Sequence, residues 1–116
     1  MRTAPVLLAI ATYVLAASAV SAETVDVKYR GPVDLKPFDC QSISRSSFIN
    51  RVCYDPRNQY LVIQLKDTYY HYCELPKVTL DALMSASSMG RYFNANIKGS
   101  GKDGPYDCRT HKVPSY

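Results

Sequence analysis

What this chain lacks narrows its chemistry first. Acidic residues are few, 10 in 116, and no two are spaced so as to pair carboxylates for general acid–base work. No Cys-x-x-Cys is present, which removes the commonest zinc and dithiol signature. The stretch Gly99-Ser100-Gly101-Lys102-Asp103-Gly104 has no Ser or Thr after its lysine, no earlier glycine at the required spacing and no strand before it. It reads as a connection rather than a phosphate loop. Internal repeats are absent. Catalysis therefore has little to build on, and a small hydrolytic or redox enzyme is a secondary reading.

What is there begins with an apolar run. Arg2 precedes Val6–Val20, which is almost wholly apolar, and Val20-Ser21-Ala22 offers small residues for a peptidase. These features predict a secretory signal peptide over residues 1–22, cut after Ala22. Thr12, Tyr13 and Ser18 interrupt the run and no basic cluster follows it, so stable membrane insertion is not expected after cleavage. No cysteine lies in or just after the run, which argues against a bacterial lipid anchor. Of 14 basic residues only Arg2 is lost, which lowers the formal charge of +4 by one. That excess does not by itself imply a nucleic-acid partner. The remaining length supports one domain, and small exported domains often add disulfides to a limited core. All four cysteines, Cys40, Cys53, Cys73 and Cys108, follow the apolar run and read as two disulfides. The destination is a bacterial periplasm or the cell exterior.

Residues 23–45 form an N-terminal arm, with a strand around Thr24–Tyr29 and breaks at Gly31-Pro32 and Lys36-Pro37. Phe48–Tyr54 predicts a strand, and Asp55-Pro56-Arg57-Asn58 a turn. Tyr60–Leu65 alternates with Leu61, Ile63 and Leu65 on one face. Lys66-Asp67 turns the chain into a third strand, Thr68–Cys73, giving an antiparallel meander. Pro76 suits the first turn of a helix, continued by Val78, Leu80, Leu83 and Met84. Ser87 is positioned to cap a second helix. There Met89, Phe93 and Ile97 share a face and Gly99 closes the end. Residues 99–116 form an extension rich in Gly, Pro and polar residues, and Cys108 ties it down.

Five short motifs stand in a recognisable order: Ser46-Ser47, Tyr54-Asp55, Tyr70-His71-Tyr72, Leu75-Pro76 and Gly90-Arg91-Tyr92-Phe93-Asn94. Over residues 46–98 the chain resembles the KTSC domain, named for its occurrence at the C-terminus of some lysyl-tRNA synthetases. The Tyr-x-Tyr mark of that family is matched by Tyr70 and Tyr72. The resemblance implies no established activity; RNA binding has been suggested for the family. The apolar leader, the cysteines and the C-terminal extension depart from the simple pattern.

The expected fold is α+β, a three-stranded antiparallel meander packed on two short helices, with the arm and tail stapled to it. Period-two alternation places Val52, Tyr54, Leu61, Ile63, Leu65, Tyr70 and Tyr72 under the helices. Tyr70 and Tyr72 are therefore core residues. Arg51, Cys53, Tyr60, Val62, Gln64, Tyr69, His71 and Cys73 take the opposite face. Cys53 and Cys73 lie on strands separated by another strand, about 10 Å apart, beyond the roughly 7 Å a disulfide tolerates. Each must reach Cys40 or Cys108. The shorter loop favours Cys40–Cys53 with Cys73–Cys108, and the crossed pairing remains open. His71-x-Cys73 and Cys108-x-x-His111 hold metal-ligand types, but an oxidising destination competes for the thiols, and no metal or cofactor is expected. Tyr69, His71, Arg91, Lys98, Lys102, Arg109 and Lys112 are the candidate contact residues, basic groups interleaved with aromatics. The expected function is a non-catalytic binding module for a protein or an anionic envelope polymer, with nucleic acid as the alternative.

Overall fold

The computed structural model describes residues 23–99 and 104–116. The segment expected to be a signal peptide, residues 1–22, and Lys102 lie outside them. Six strands form one sheet: β1 Thr24–Val27, β2 Gly31–Asp34, β3 Asp39–Ser42, β4 Ile49–Asp55, β5 Tyr60–Leu65 and β6 Thr68–Tyr72. Their order is β2-β1-β6-β5-β4-β3. The expectation of a three-stranded sheet is thereby corrected. β4, β5 and β6 are antiparallel neighbours, and the arm adds three further strands, a hairpin beside β6 and a single strand beside β4. β1 meets β6 in parallel at one position, Val27 against Tyr69.

The physical reason lies at the edges. β2 and β3 are the outermost strands. Pro32 fits an edge because its missing N–H faces no partner, and Asp39, Gln41 and Ser42 of β3 are exposed, as edge strands that resist further pairing commonly are. Such short polar strands carry no clear period. Cys40, expected in an irregular arm, sits in β3 directly opposite Cys53.

A register shift between Ile49 and Arg51 reorients β4. Strict alternation puts Ile49 on the face opposite Val52. The extra residue of the bulge returns it to the helix side, where Ile49 is fully buried with Val52, Tyr54, Leu61 and Ile63. Two helical segments cover this face: α1, Lys77–Ser85, and α2, Met89–Tyr92, which runs on into a π-helical stretch, Phe93–Lys98. Pro76 precedes α1 with extended geometry. Arg45 donates to the carbonyls of Met84 and Ala86 at the far end of α1, satisfying groups the helix leaves open. The cap of α2 is Ser88, one residue beyond the expected Ser87; its Oγ accepts the N–H of Arg91 at 3.3 Å. Met89, Phe93 and Ile97 are all buried. The wider i→i+5 turn keeps residues four apart nearer one line than an α-helix does. A Cβ at Gly90 would stand 2.5 Å from the Phe48 ring, so a larger residue there would have to displace that ring. Gly99, at φ +67°, ends the segment.

The opposite face is also buried. Val25, Val27 and Val33 from the arm hairpin pack with Cys53, Tyr60 and Val62 of the central strands, joined by Leu35, Phe38 and Cys73. β1 and β2 lie beyond β6 in the sheet, so this contact requires the sheet to curl over its own outer face. Two disulfides close it, Cys40–Cys53 and Cys73–Cys108, with Cα separations of 4.0 and 4.9 Å.

Candidate functional site

β6 is the strand around which a site forms. Lys28 N–H bonds to the Tyr69 carbonyl, and Cys73 N–H bonds to the Tyr106 carbonyl. Between these anchors the β1–β2 connection turns away and the tail has not yet come alongside. The result is a half-open groove of about 870 Å³. Tyr70, His71 and Tyr72 form its floor, Tyr29 and Lys98 its rims, and Asp107, Cys108, Arg109 and Val113 the tail wall.

Tyr29 is the most conspicuous member. Its side chain is 85 % exposed, and its backbone has φ 70°, a left-handed conformation uncommon for a bulky residue. The Lys28 ammonium lies 5.3 Å from the Tyr29 ring centroid and 5.7 Å from that of Tyr70, within reach of a cation–π attraction. Tyr70 and Tyr72 serve two surfaces at once. Both pack against the helix-side core, with the Tyr72 ring edge-on to Phe93 at 5.6 Å, and both line the groove. Burial, reinforced by the charges of Tyr70 and Asp107, pushes the Tyr72 phenol up to about 12, so it stays a neutral hydroxyl.

The charges around the groove do not cancel. Asp107 is taken up by Arg109, whose side-chain and backbone hydrogen bonds hold its carboxyl down to about 2. Among the described residues, neither Lys28 nor Lys98 has a carboxylate within ion-pair distance. Two ammonium groups without a described carboxylate partner thus flank three tyrosine rings.

His71 and the sulfurs of Cys73 and Cys108 lie within 4.8 Å of one another. The two sulfurs are bonded together, so neither is a thiolate able to hold a metal. The Nδ1 of His71 is 2.7 Å from the Tyr60 hydroxyl. Burial, with help from the Arg30 charge, lowers its pKa, and the ring is neutral at pH 7. The Nδ1 of His111 is hydrogen-bonded to the Glu74 carboxylate, and its Nε2 to the Pro105 carbonyl. With both nitrogens occupied it has no lone pair to offer as a base.

Of the residues singled out in the sequence, the groove brings together His71, Lys98 and Arg109. Tyr69 lies elsewhere: its hydroxyl accepts from Arg51, which Glu23 holds in turn. Arg91 and Lys112 are exposed outside the groove. Sequence reasoning missed Tyr29, Lys28 and Asp107. The signal for the first two was present, since Lys28-Tyr29-Arg30 places an aromatic between two bases in the turn just before Gly31-Pro32.

Comparison with known proteins accounts for the central part of this fold. The model of the KTSC domain matches residues 45–100. The crystal structure of a KTSC domain protein from Yersinia pestis is similar with a TM-score of 0.50 and 40% sequence identity, covering 53% of this chain and 87% of that one. No curated protein sequence matches the chain. The match begins after β3 and ends before the described tail. Each disulfide therefore joins one cysteine within it, Cys53 or Cys73, to one outside it, Cys40 or Cys108. Residues 45–100 supply the meander and both helical segments, and the flanks supply the groove's outer wall. The chain belongs to the KTSC domain family.

Proposed function

We propose that this chain is an exported, non-catalytic binding module whose groove holds an extended anionic ligand, an acidic polymer of the cell envelope. The observation that carries this reading is the convergence of Tyr29, Tyr70 and Tyr72 with the ammonium groups of Lys98, on the rim, and Lys28, beside the Tyr29 and Tyr70 rings, neither of which is paired by a carboxylate among the described residues. Rings give sequence-tolerant contact area, and the lysines attract anionic groups without fixing their geometry. The half-open shape admits a chain passing through, not only a small molecule. Export is supported by the two disulfides, which persist in oxidising compartments, and by the apolar run at Val6–Val20. Among the described residues no helix is long and apolar enough to cross a membrane.

Single-stranded nucleic acid is the second reading, favoured by the same alternation of lysine and tyrosine. Titration of the oxidised protein with an oligouronate and with oligo(dT), each at low and high salt, separates the two. The acidic-polymer reading expects the oligouronate to bind, with affinity falling on added salt and by about tenfold or more in the Lys28→Ala/Lys98→Ala double variant. Preference for oligo(dT), with a log–log salt slope of roughly −1.4 for two neutralised phosphates, transfers the assignment to nucleic acid. Binding of neither at low salt removes the groove from consideration as an anion site.

A further inference from the structure

A second built site lies on the other side of Tyr60 from His71, and the chain fills it with its own tail. The Tyr116 ring rests 4.8 Å from Phe38 and 5.4 Å from Tyr60, centroid to centroid. The Arg30 guanidinium lies 5.2 Å from the centroids of both Tyr60 and Tyr116 and donates to the carbonyl of Pro114. The Tyr116 hydroxyl donates to Asp55 Oδ2 at 2.6 Å. Asp55 is 1 % exposed, the one buried charged residue among those described.

The receptor groups are positioned without the tail. Asp55 is fixed by the turn it opens, accepting the Arg57 N–H at 3.0 Å and the Asn58 amide at 2.8 Å. The Tyr60 hydroxyl accepts from Arg30 at 3.1 Å, and Phe38 is set by a turn from Leu35. The tail from Arg109 onward forms neither helix nor strand. It is a strap laid into a finished site, anchored behind by Cys108.

We propose that this cleft is a recognition site for an extended peptide segment carrying Pro-x-Tyr, filled in cis by Pro114-Ser115-Tyr116 and able to take the same segment from a partner chain when the strap leaves. Arg30 reads the proline carbonyl, the Phe38–Tyr60–Arg30 cage takes the ring, and Asp55 reads the hydroxyl. Asp55 supplies the discrimination. A phenylalanine removes one of the two donors to Asp55 Oδ2, leaving only the Asn58 amide on a buried carboxylate oxygen, which costs more than a lost exposed contact. The strap competes at the high local concentration of a tethered ligand, so the intact chain resists occupation in trans. The cleft and the anion groove have separate ligand contacts but share the tail, which gives Arg109 and Val113 to the groove wall and Pro114 and Tyr116 to the cleft.

The test uses the full oxidised chain with Tyr116→Ala, and two pairs of probes: p-cresol against toluene, and acetyl-Val-Pro-Ser-Tyr-amide against its phenylalanine counterpart. Calorimetric or NMR titration should show p-cresol and the tyrosine peptide binding the variant, each at least about tenfold more tightly than its hydroxyl-free partner. The tyrosine peptide should bind the unsubstituted chain at least about tenfold more weakly than the variant. Tyr116→Phe, which keeps the ring, serves if the alanine variant fails to fold, and it too should admit the tyrosine peptide more readily than the unsubstituted chain. Equal affinity for the paired probes, or no peptide binding to a folded variant, overturns the proposal.

Discussion

Under the helices, the sheet is closed by residues close to it in sequence, all ten buried core residues of that face running from Ile49 to Ile97. The other face is closed by segments drawn from far apart: Val25, Val33 and Phe38 come from before β4, while Cys108 and Tyr116 come from the tail. Both faces are apolar, but only the first is built from a continuous stretch, and that stretch falls within the family match. The second must gather distant chain, at a larger loop-closure cost, and both disulfides are on that side. The difference shows how a small domain acquires a second surface: the groove and the Tyr116 cleft both lie where added segments meet the central sheet.

The comparison breaks most sharply if the helix side is not the stronger half. Phe93 is fully buried and touches Phe48 and Tyr72 edge-on. Phe93→Ala should cost about 3–5 kcal/mol in denaturant unfolding, enough to unfold a marginal domain. The disulfides should follow. Removing Cys73–Cys108, which spans 35 residues, should cost about 4 kcal/mol, and removing Cys40–Cys53, which spans 13, about 3 kcal/mol. Paired serine variants compared by urea titration give the ranking.

The Tyr116 contact comes next. Tyr116→Phe should cost about 1–3 kcal/mol at neutral pH. Burial alone raises the pKa of Asp55, but hydrogen bonds from Tyr116, Asn58 and the backbone of Arg57 outweigh it and hold the carboxyl below its ordinary value. Its contribution is therefore full above the unfolded value of about 4 and is lost as pH falls through the folded one. Stability profiles of the parent and Asp55→Asn should converge in that acid range.

The smallest effect distinguishes the two histidines beside the tail. His71 is shifted down by burial and by Arg30; His111 is shifted up, first by its hydrogen bond to Glu74. His71 contributes stability above about pH 6.5 that is lost as pH falls, and His111 contributes stability below it that is lost as pH rises. NMR titration should place the two imidazoles on opposite sides of the ordinary value, and Glu74→Gln should move only His111.

The helix side was legible in the sequence because its signals are local: alternation in Tyr60–Leu65, the four-residue spacing of Met89, Phe93 and Ile97, and the proline before α1. The parity of Cys53 and Cys73 on one face and the width of an intervening strand excluded a bond between those two, and the shorter loop favoured the pairs that form. Where a single residue shifts the frame, as at the bulge before Arg51 or at Ser88, pattern reading has no purchase. β2 and β3 escaped because Pro32, Pro37 and exposed polar residues mask a short edge strand. The site was only partly legible for a related reason. Arg91, Arg109 and Lys112 are near in sequence, but helix and strap carry them to different surfaces. Lys28 and Tyr29 are far from β6 in sequence and beside it in space through one parallel contact at Val27.

Hydrogen exchange on the oxidised and fully reduced chain tests the division most directly. Reduction should strip protection from β1, β2, β3 and the Cys73–Tyr106 bond while β4, β5 and the helix around Leu83 stay protected by a smaller, still cooperative unfolding free energy. A uniform loss of protection across both faces would show that the helix side does not stand without its staples and contradict the two-part construction.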